Sequence, residues 1–249
     1  MKISNNLHDA YGQEIYDYFK GNKTTYEIVE REDGYIDISV GPSYYFAEYK
    51  KWPPSERKAI RFARGKVLDI GCGAGRVMLY LKDKGCDVYG IDNSPLAVKV
   101  CKARGLKKIS VMAFNKLTAK FGTFDTITMF GNNFGLFGSY NCAKRRLKLL
   151  YRMTTEKGRI IATTCDPYGT KLPYHLAYHK YNRQRGRMSG QIKLRVRYLN
   201  YRTPWFDYLL VSPKELKDIL KDTGWHIKKL LDPIPPIYTM CIGKRLKIL

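Results

Sequence analysis

Val67-Leu68-Asp69-Ile70-Gly71-Cys72-Gly73-Ala74-Gly75-Arg76 is an apolar run that ends on an acid, passes through three glycines at alternate positions and opens an amphipathic segment. Val67, Leu68 and Ile70 predict a short buried strand. Gly71, Gly73 and Gly75 predict a turn where the backbone comes close to a ligand that any Cβ would strike. A turn for a dinucleotide asks for a further glycine at position 76, to let helix and strand pack closely, and this chain has Arg76 there. The spacing therefore suits a smaller adenosine ligand with no pyrophosphate to seat on the helix N-terminus.

Outward from this turn the pattern is strand, helix, strand. Val77 to Lys84 predicts a helix closed by Gly85, Asp87 to Ile91 a strand, Ser94-Pro95 the cap of a helix running to Gly105, and Lys108 to Met112 another strand. Phe124 to Phe130, Gly158 to Thr164, Ile227 to Leu231 and Tyr238 to Ile242 predict further strands. Helices are expected at Ala143 to Met153 and, opened by the capping box of Ser212 and Glu215, up to about Thr223. Alternation at these lengths predicts an α/β fold, a doubly wound and mostly parallel seven-stranded sheet with helices on both faces.

Two segments stand outside that pattern. Residues 1–52 are expected to form an N-terminal cap: an amphipathic helix from Leu7 to Phe19, then a hairpin turning at Asp33-Gly34, with Ile36, Ile38 and Val40 alternating onto one face. The remainder, 53–249, is expected to be the ligand-binding domain, its first helix opened by Pro53-Pro54, with a lid inserted at about 167–208. Within the lid, a helix is expected at Tyr174 to Tyr181. The strand QIKLRVRYL follows, with Ile192, Leu194 and Val196 on one face and Lys193, Arg195 and Arg197 on the other.

The glycine turn and Asp92, which ends the second strand in VYGIDNSP, together resemble the class I S-adenosylmethionine-dependent methyltransferases, with a Rossmann-like fold, from about Ala59 to Asp166. The resemblance implies S-adenosylmethionine as cofactor and S-adenosylhomocysteine as its product. It implies that Gly71 and Gly73 face the aminoacyl end, that Asp69 orders the loop or meets the cofactor ammonium, that Asp92 accepts both ribose hydroxyls and that Asn93 lies beside the adenine. The acid that many members carry after the third strand is replaced by Ala113-Phe114, so Phe114 is expected to pack on the adenine face. The fourth strand ends in FGNNFG, where Asn132 is the expected contact, ahead of Asn133. This sequence is neither the Asn/Asp-Pro-Pro-aromatic motif of amino-directed nucleic-acid methyltransferases nor accompanied by a Pro-Cys pair for attack on a pyrimidine.

The reaction needs a nucleophile aligned with an already activated methyl carbon, so no base is obligatory. His175, His179, Tyr168 and Tyr174 are the candidates if one is used; YHLAYH lacks the glutamate of a metalloprotease helix, and no metal is expected. A formal net charge of +23 over 249 residues favours an anionic partner without choosing among them. Arg195 and Arg197 could grip a carboxylate or phosphate, so a small, anionic acceptor is the leading expectation. RNA held by the basic insertion is the alternative, and a non-catalytic S-adenosylmethionine-binding role a third. No apolar run reaches membrane-spanning length, residues 1–12 hold no apolar signal core, and six scattered cysteines fit reduced thiols; a cytoplasmic protein is expected. Nothing in the sequence sets the oligomeric state.

Overall fold

The elements fall where their end signals stand. A computed structural model describes residues 7–39, 41–234 and 236–245. Helix α1 (Ala10–Phe19) starts at its cap, Asp9, whose carboxylate accepts the Gly12 amide at 3.0 Å; the helix therefore begins later than the apolar spacing suggests. It leads into the hairpin of β1 (Ile28–Arg31) and β2 (Ile36–Ile38), the single-turn helix α2 (Ser43–Phe46) and α3 (Pro54–Ile60). Then β3 (Lys66–Ile70), α4 (Arg76–Asp83), β4 (Asp87–Asp92), α5 (Pro95–Ala103), β5 (Ile109–Val111), β6 (Phe124–Met129), α6 (Tyr140–Arg152) and β7 (Thr154–Cys165) follow in turn. Helix α7 (Pro173–Gln184), β8 (Gln191–Tyr198), β9 (Tyr201–Arg202), β10 (Phe206–Leu209), α8 (Pro213–Ile219), β11 (Trp225–Ile234) and β12 (Ile237–Lys244) come last. The capping box predicted at Ser212 and Glu215 is present at the start of α8.

The main sheet has seven strands in the order β11-β12-β7-β6-β3-β4-β5. Strands β7, β6, β3, β4 and β5 are parallel, and β12 and β11 pair antiparallel at one edge. Both faces are covered, as a parallel sheet requires. Leu68 and Ile70 point to the layer of α6 and α8, where Leu147, Leu150, Leu216 and Ile219 are fully buried; Val67 points to the layer of Ile60, Val77, Met78 and Leu81 from α3 and α4. With the strands parallel, the carboxyl ends of β3, β4 and β6 share one edge, and the turn after β3 opens there.

A second sheet runs β10-β8-β1-β2, with β9 paired to β8. The N-terminal hairpin and the late insertion are thus one structure: β1 lies antiparallel against β8, with Val29 opposite Val196. Ile36 and Ile38 do share a face, but they are 53% and 66% exposed, so that face is not a packed one. Val40 and residues 1–6 of the sequence reading lie outside the described residues. Helix α1 is wedged between the second sheet and α5. Ala10 joins Leu194, Val196 and Tyr198 in one apolar cluster, while the Asp9 carboxylate takes the Ser94 hydroxyl at 2.9 Å. Among the described residues no helix is long and apolar enough to cross a membrane, and all six cysteines are free thiols.

Candidate functional site

The turn after β3 is held open by its own backbone. Gly71 and Gly73 have φ of +71° and +53°, which side-chain-bearing residues rarely adopt, and the amides of Gly71 and Cys72 both donate to the Ile91 carbonyl at 2.9 and 3.2 Å. A Cβ on Gly71 would lie 2.5 Å from Asn133 Nδ2, and one on Gly73 would lie 3.4 Å from the Tyr45 ring. Across the turn sits Asp92, at the end of β4. One carboxylate oxygen accepts the Gly73 amide and the other the Ser94 amide, both at 2.9 Å. Asp92 is thereby fixed in place with its remaining lone pairs free for a ligand's donors.

These groups line one side of a cavity of about 200 Å³, together with Asp69, Asn93, Met112, Ala113 and Phe114. Asp69 is 2% exposed and accepts the Thr128 hydroxyl at 2.7 Å; burial pushes its carboxyl up to about 7. Burial raises the Asp92 carboxyl as well, opposed by the backbone amides of Ser94, Gly73 and Asn93. Cys72 also borders the cavity, but its thiol is pushed up by Cys101 and by burial and stays protonated. A glycine cradle, a fixed acid at a strand end and an apolar Phe114 wall fit an adenosine ligand with a polar tail.

The other side of the cavity comes from elements whose role the sequence does not announce. Tyr11 and Ile15 arrive from α1, Tyr44 and Tyr45 from α2, and Phe206 and Tyr208 from β10. Tyr208 is locked down by its hydroxyl, which donates to the Asn132 carbonyl at 2.5 Å, and by its ring, which covers Gly135 so closely that a Cβ there would lie 2.2 Å away. Arg76 also borders the cavity. It is 7% exposed, paired with Glu56 at 2.7 Å and sandwiched between the Tyr44 and Trp52 rings. Glu56 in turn accepts the Tyr44 hydroxyl, the Thr163 hydroxyl and the Gly131 amide, so it fastens α3 to the ends of β6 and β7.

Of the residues singled out in the sequence, Asp69, Gly71, Gly73, Asp92, Asn93 and Phe114 meet at this cavity. Asn132 does not line it. Gly131 and Asn132 both take left-handed backbone, at φ of +65° and +63°, and this reversal moves the inward position one residue on. Asn133 is the residue that reaches the cavity, its amide donating to the carbonyls of Ile70 and Gly71 at 3.1 and 2.8 Å.

Arg195 and Arg197 also lie elsewhere. The buried face of β8 is that of Leu194 and Val196, and on the opposite face Arg195 forks onto Glu30 at 2.8 and 3.0 Å with Arg197 3.6 Å from the same carboxylate. The expectation of an anionic acceptor loses the residues on which it stood.

The four candidate bases are remote as well. His175 accepts from the Arg31 guanidinium at 2.9 Å and is packed by Tyr35 and Tyr174, while His179 lies under Tyr168, whose hydroxyl donates to Glu215 at 2.8 Å. Burial and neighbouring arginines hold both imidazoles below the usual histidine range, so they are neutral. None of the four lines the cavity. Tyr11, Tyr44, Tyr45 and Tyr208 were missed because nothing distinguishes them among 20 tyrosines until the fold gathers them.

A family model described as "Methyltransferase domain" matches residues 67–158. The 2-heptyl-1-hydroxyquinolin-4(1H)-one methyltransferase of Mycobacteroides abscessus is 33% identical over 75 residues, which are 26% of this chain and 33% of that protein. A Geobacillus protein named as a methyltransferase is 22% identical over 130 residues, 49% of this chain and 53% of that one. The chain thus spans between a third and about half of the curated relatives it matches. Among solved structures, a Bacteroides fragilis S-adenosylmethionine-dependent methyltransferase in complex with S-adenosylhomocysteine has the same fold, with a TM-score of 0.80 at 24% identity over 98% of both chains. The CcbJ methyltransferase of Streptomyces caelestis gives 0.62 at 15% identity, over 96% of this chain and 99% of its own.

Proposed function

We propose that the chain, whose residues 67–158 match a methyltransferase-domain model, is a class I S-adenosylmethionine-dependent methyltransferase that holds S-adenosylmethionine at the carboxyl edge of its main sheet and methylates a small molecule beneath its tyrosine wall. One observation carries this reading: the acids and glycines of β3 and β4 and the aromatic rings of α1, α2 and β10 line the same cavity. Asp92 would hold the ribose hydroxyls, Gly71, Gly73 and Asp69 the aminoacyl end, and Asn93, Ala113 and Phe114 the adenine. The cofactor supplies a methyl group already activated on a sulfonium. The protein's part is to orient the acceptor and keep water out, and the packed rings around Tyr45 and Tyr208 serve both ends. A relative named for a quinolone methyl acceptor supports a small molecule. Free thiols support a cytoplasmic setting.

Titration calorimetry with S-adenosylhomocysteine tests the cofactor assignment. Each of the two ribose hydrogen bonds to the Asp92 carboxylate contributes about 1.5–3 kcal/mol, so Asp92→Ala should weaken binding by at least about a hundredfold. Unchanged affinity in a folded variant would remove the assignment. Release of S-adenosylhomocysteine from S-adenosylmethionine with any acceptor would separate an enzyme from a non-catalytic binder.

A further inference from the structure

The lining of the cavity does not share the basic character of the whole chain. The chain carries 45 Lys and Arg against 22 Asp and Glu, yet among the described cavity-lining residues there is no lysine, and the lone arginine, Arg76, is already paired with Glu56. The formal acids at the wall are Asp69 and Asp92, on the cofactor side. Two more carboxyl groups that the proposed cofactor site does not use are neighbours of the acceptor-side tyrosines: Glu14 of α1 acts on Tyr11 and Tyr45, and Glu27, just before β1, on Tyr11, Tyr45 and Tyr208.

Both are deeply buried, at 0% and 4% exposure, and beyond the hydrogen bond between the two carboxyls, both oxygens of Glu14 and Oε2 of Glu27 lack partners. Leaving carboxyl oxygens dry and unpaired is costly. Two glutamates this close and this buried do not both ionise. Burial and the Glu27 charge push Glu14 up to about 9, and burial raises Glu27, opposed by hydrogen bonds from Ser39, Glu14 and Tyr45. At neutral pH the pair therefore holds at least one proton. Glu27 bears on Tyr11, Tyr45 and Tyr208, whose phenols burial and Glu27 keep neutral. Tyr45 is close enough to Glu27 to lower its carboxyl, and the same residue lines the cavity.

Electron-rich rings at several angles, backed by two buried carboxyl groups and with no unpaired cation among the described lining residues, are what an organic cation needs. Phe206 and Tyr208 stand edge-to-face with centroids 6.3 Å apart, and Tyr45 meets Tyr44 in the same way at 6.0 Å. Such rings attract a cation through their faces, most strongly where water is excluded.

We propose that the methyl acceptor carries an alkylammonium group, seated among the Tyr11, Tyr45, Phe206 and Tyr208 rings in front of the Glu14–Glu27 carboxyl pair. The inference rests on the reading of this cavity as the shared donor and acceptor site. It replaces the anionic acceptor suggested by net charge: the basic surface supplies solubility and field, and the cavity supplies the selection.

The test is calorimetry on the protein saturated with S-adenosylhomocysteine, with two probes of similar size, 2-phenylethylamine as the cation and 3-phenylpropanoate as the anion. The amine should bind at least about tenfold more tightly than the carboxylate. Glu14→Gln leaves the Glu27 carboxyl in place and should leave amine affinity within about twofold, whereas the double variant Glu14→Gln/Glu27→Gln removes both carboxyls and should lose about tenfold or more, with S-adenosylhomocysteine affinity unchanged in both. A carboxylate that binds as well as the amine overturns the inference, as does failure of both probes to bind, or an unaltered amine affinity in the folded double variant. If the double variant does not fold, the amine-to-carboxylate ratio of the unaltered protein decides alone. Failure of S-adenosylhomocysteine to bind would instead refute the methyl-donor reading.

Discussion

Asp69 is a carboxyl group whose charge depends on its ligand. Burial favours its protonated form and raises it to about 7, against an ordinary value near 4. A bound ammonium requires it ionised. Affinity for S-adenosylhomocysteine should therefore fall as pH drops through about 7, by up to about tenfold per pH unit, and Asp69→Asn should bind more weakly at pH 8 with a flatter profile. Calorimetry at pH 6, 7 and 8 reads both. For stability the sign is opposite: between the ordinary carboxylate range and about 7 the folded protein keeps a proton that the unfolded chain has lost, so this residue weakens the fold as pH rises across that window. Asp69 and Asp92 were legible in the sequence because a strand end and the turn beside it are set by local backbone. The Asn132 and Asn133 pair was legible only to within one residue, since the left-handed turn that selects Asn133 leaves no mark on composition.

At the scale of elements, Arg76 has a role that neither glycine-turn reading foresees. It opens α4, and its pairing with Glu56 clamps that helix to α3 in a setting that is 7% and 1% exposed. Removing one member of a buried pair leaves an uncompensated charge, at a cost of about 3–5 kcal/mol. Arg76→Met should lower unfolding free energy by that amount in urea titration, and adding Glu56→Leu should recover part of the loss. A strictly additive double variant would mean that the two groups do not act on each other. Close packing in this region falls to Gly75, where a Cβ would meet Leu106 at 2.4 Å, so position 76 is free to carry a side chain.

Over the whole molecule, the second sheet, α1 and α2 form a roof on the carboxyl edge of the main sheet. The roof is made from both ends of the sequence reading's irregular segments, joined through β1 and β8. It touches the turn after β3 through Tyr45 and the turn after β6 through Tyr208. A ligand seated beneath it should steady both layers. Hydrogen exchange with and without S-adenosylhomocysteine should show slowed amides in α1 and β10 as well as in Gly71 to Gly75. Protection confined to the glycine turn would contradict a closed acceptor site.

The sequence by itself determined the alternation of strands and helices, the glycine turn and the acid of β4. These are local matters of periodicity, φ and chain reversal, written within a few residues of each other. Tertiary structure alone decided what faces the cavity from above. Tyr11, Tyr45 and Tyr208 meet there because an N-terminal helix, a single helical turn and an edge strand are folded together, and Arg195 is turned away because β8 buries Leu194 and Val196 instead. A net charge sums over the whole surface, whereas a binding site feels the few groups within hydrogen-bond and ring-contact reach. Here the whole chain carries a formal +23, whereas the described lining of the cavity holds no lysine and one arginine, Arg76, already paired with Glu56.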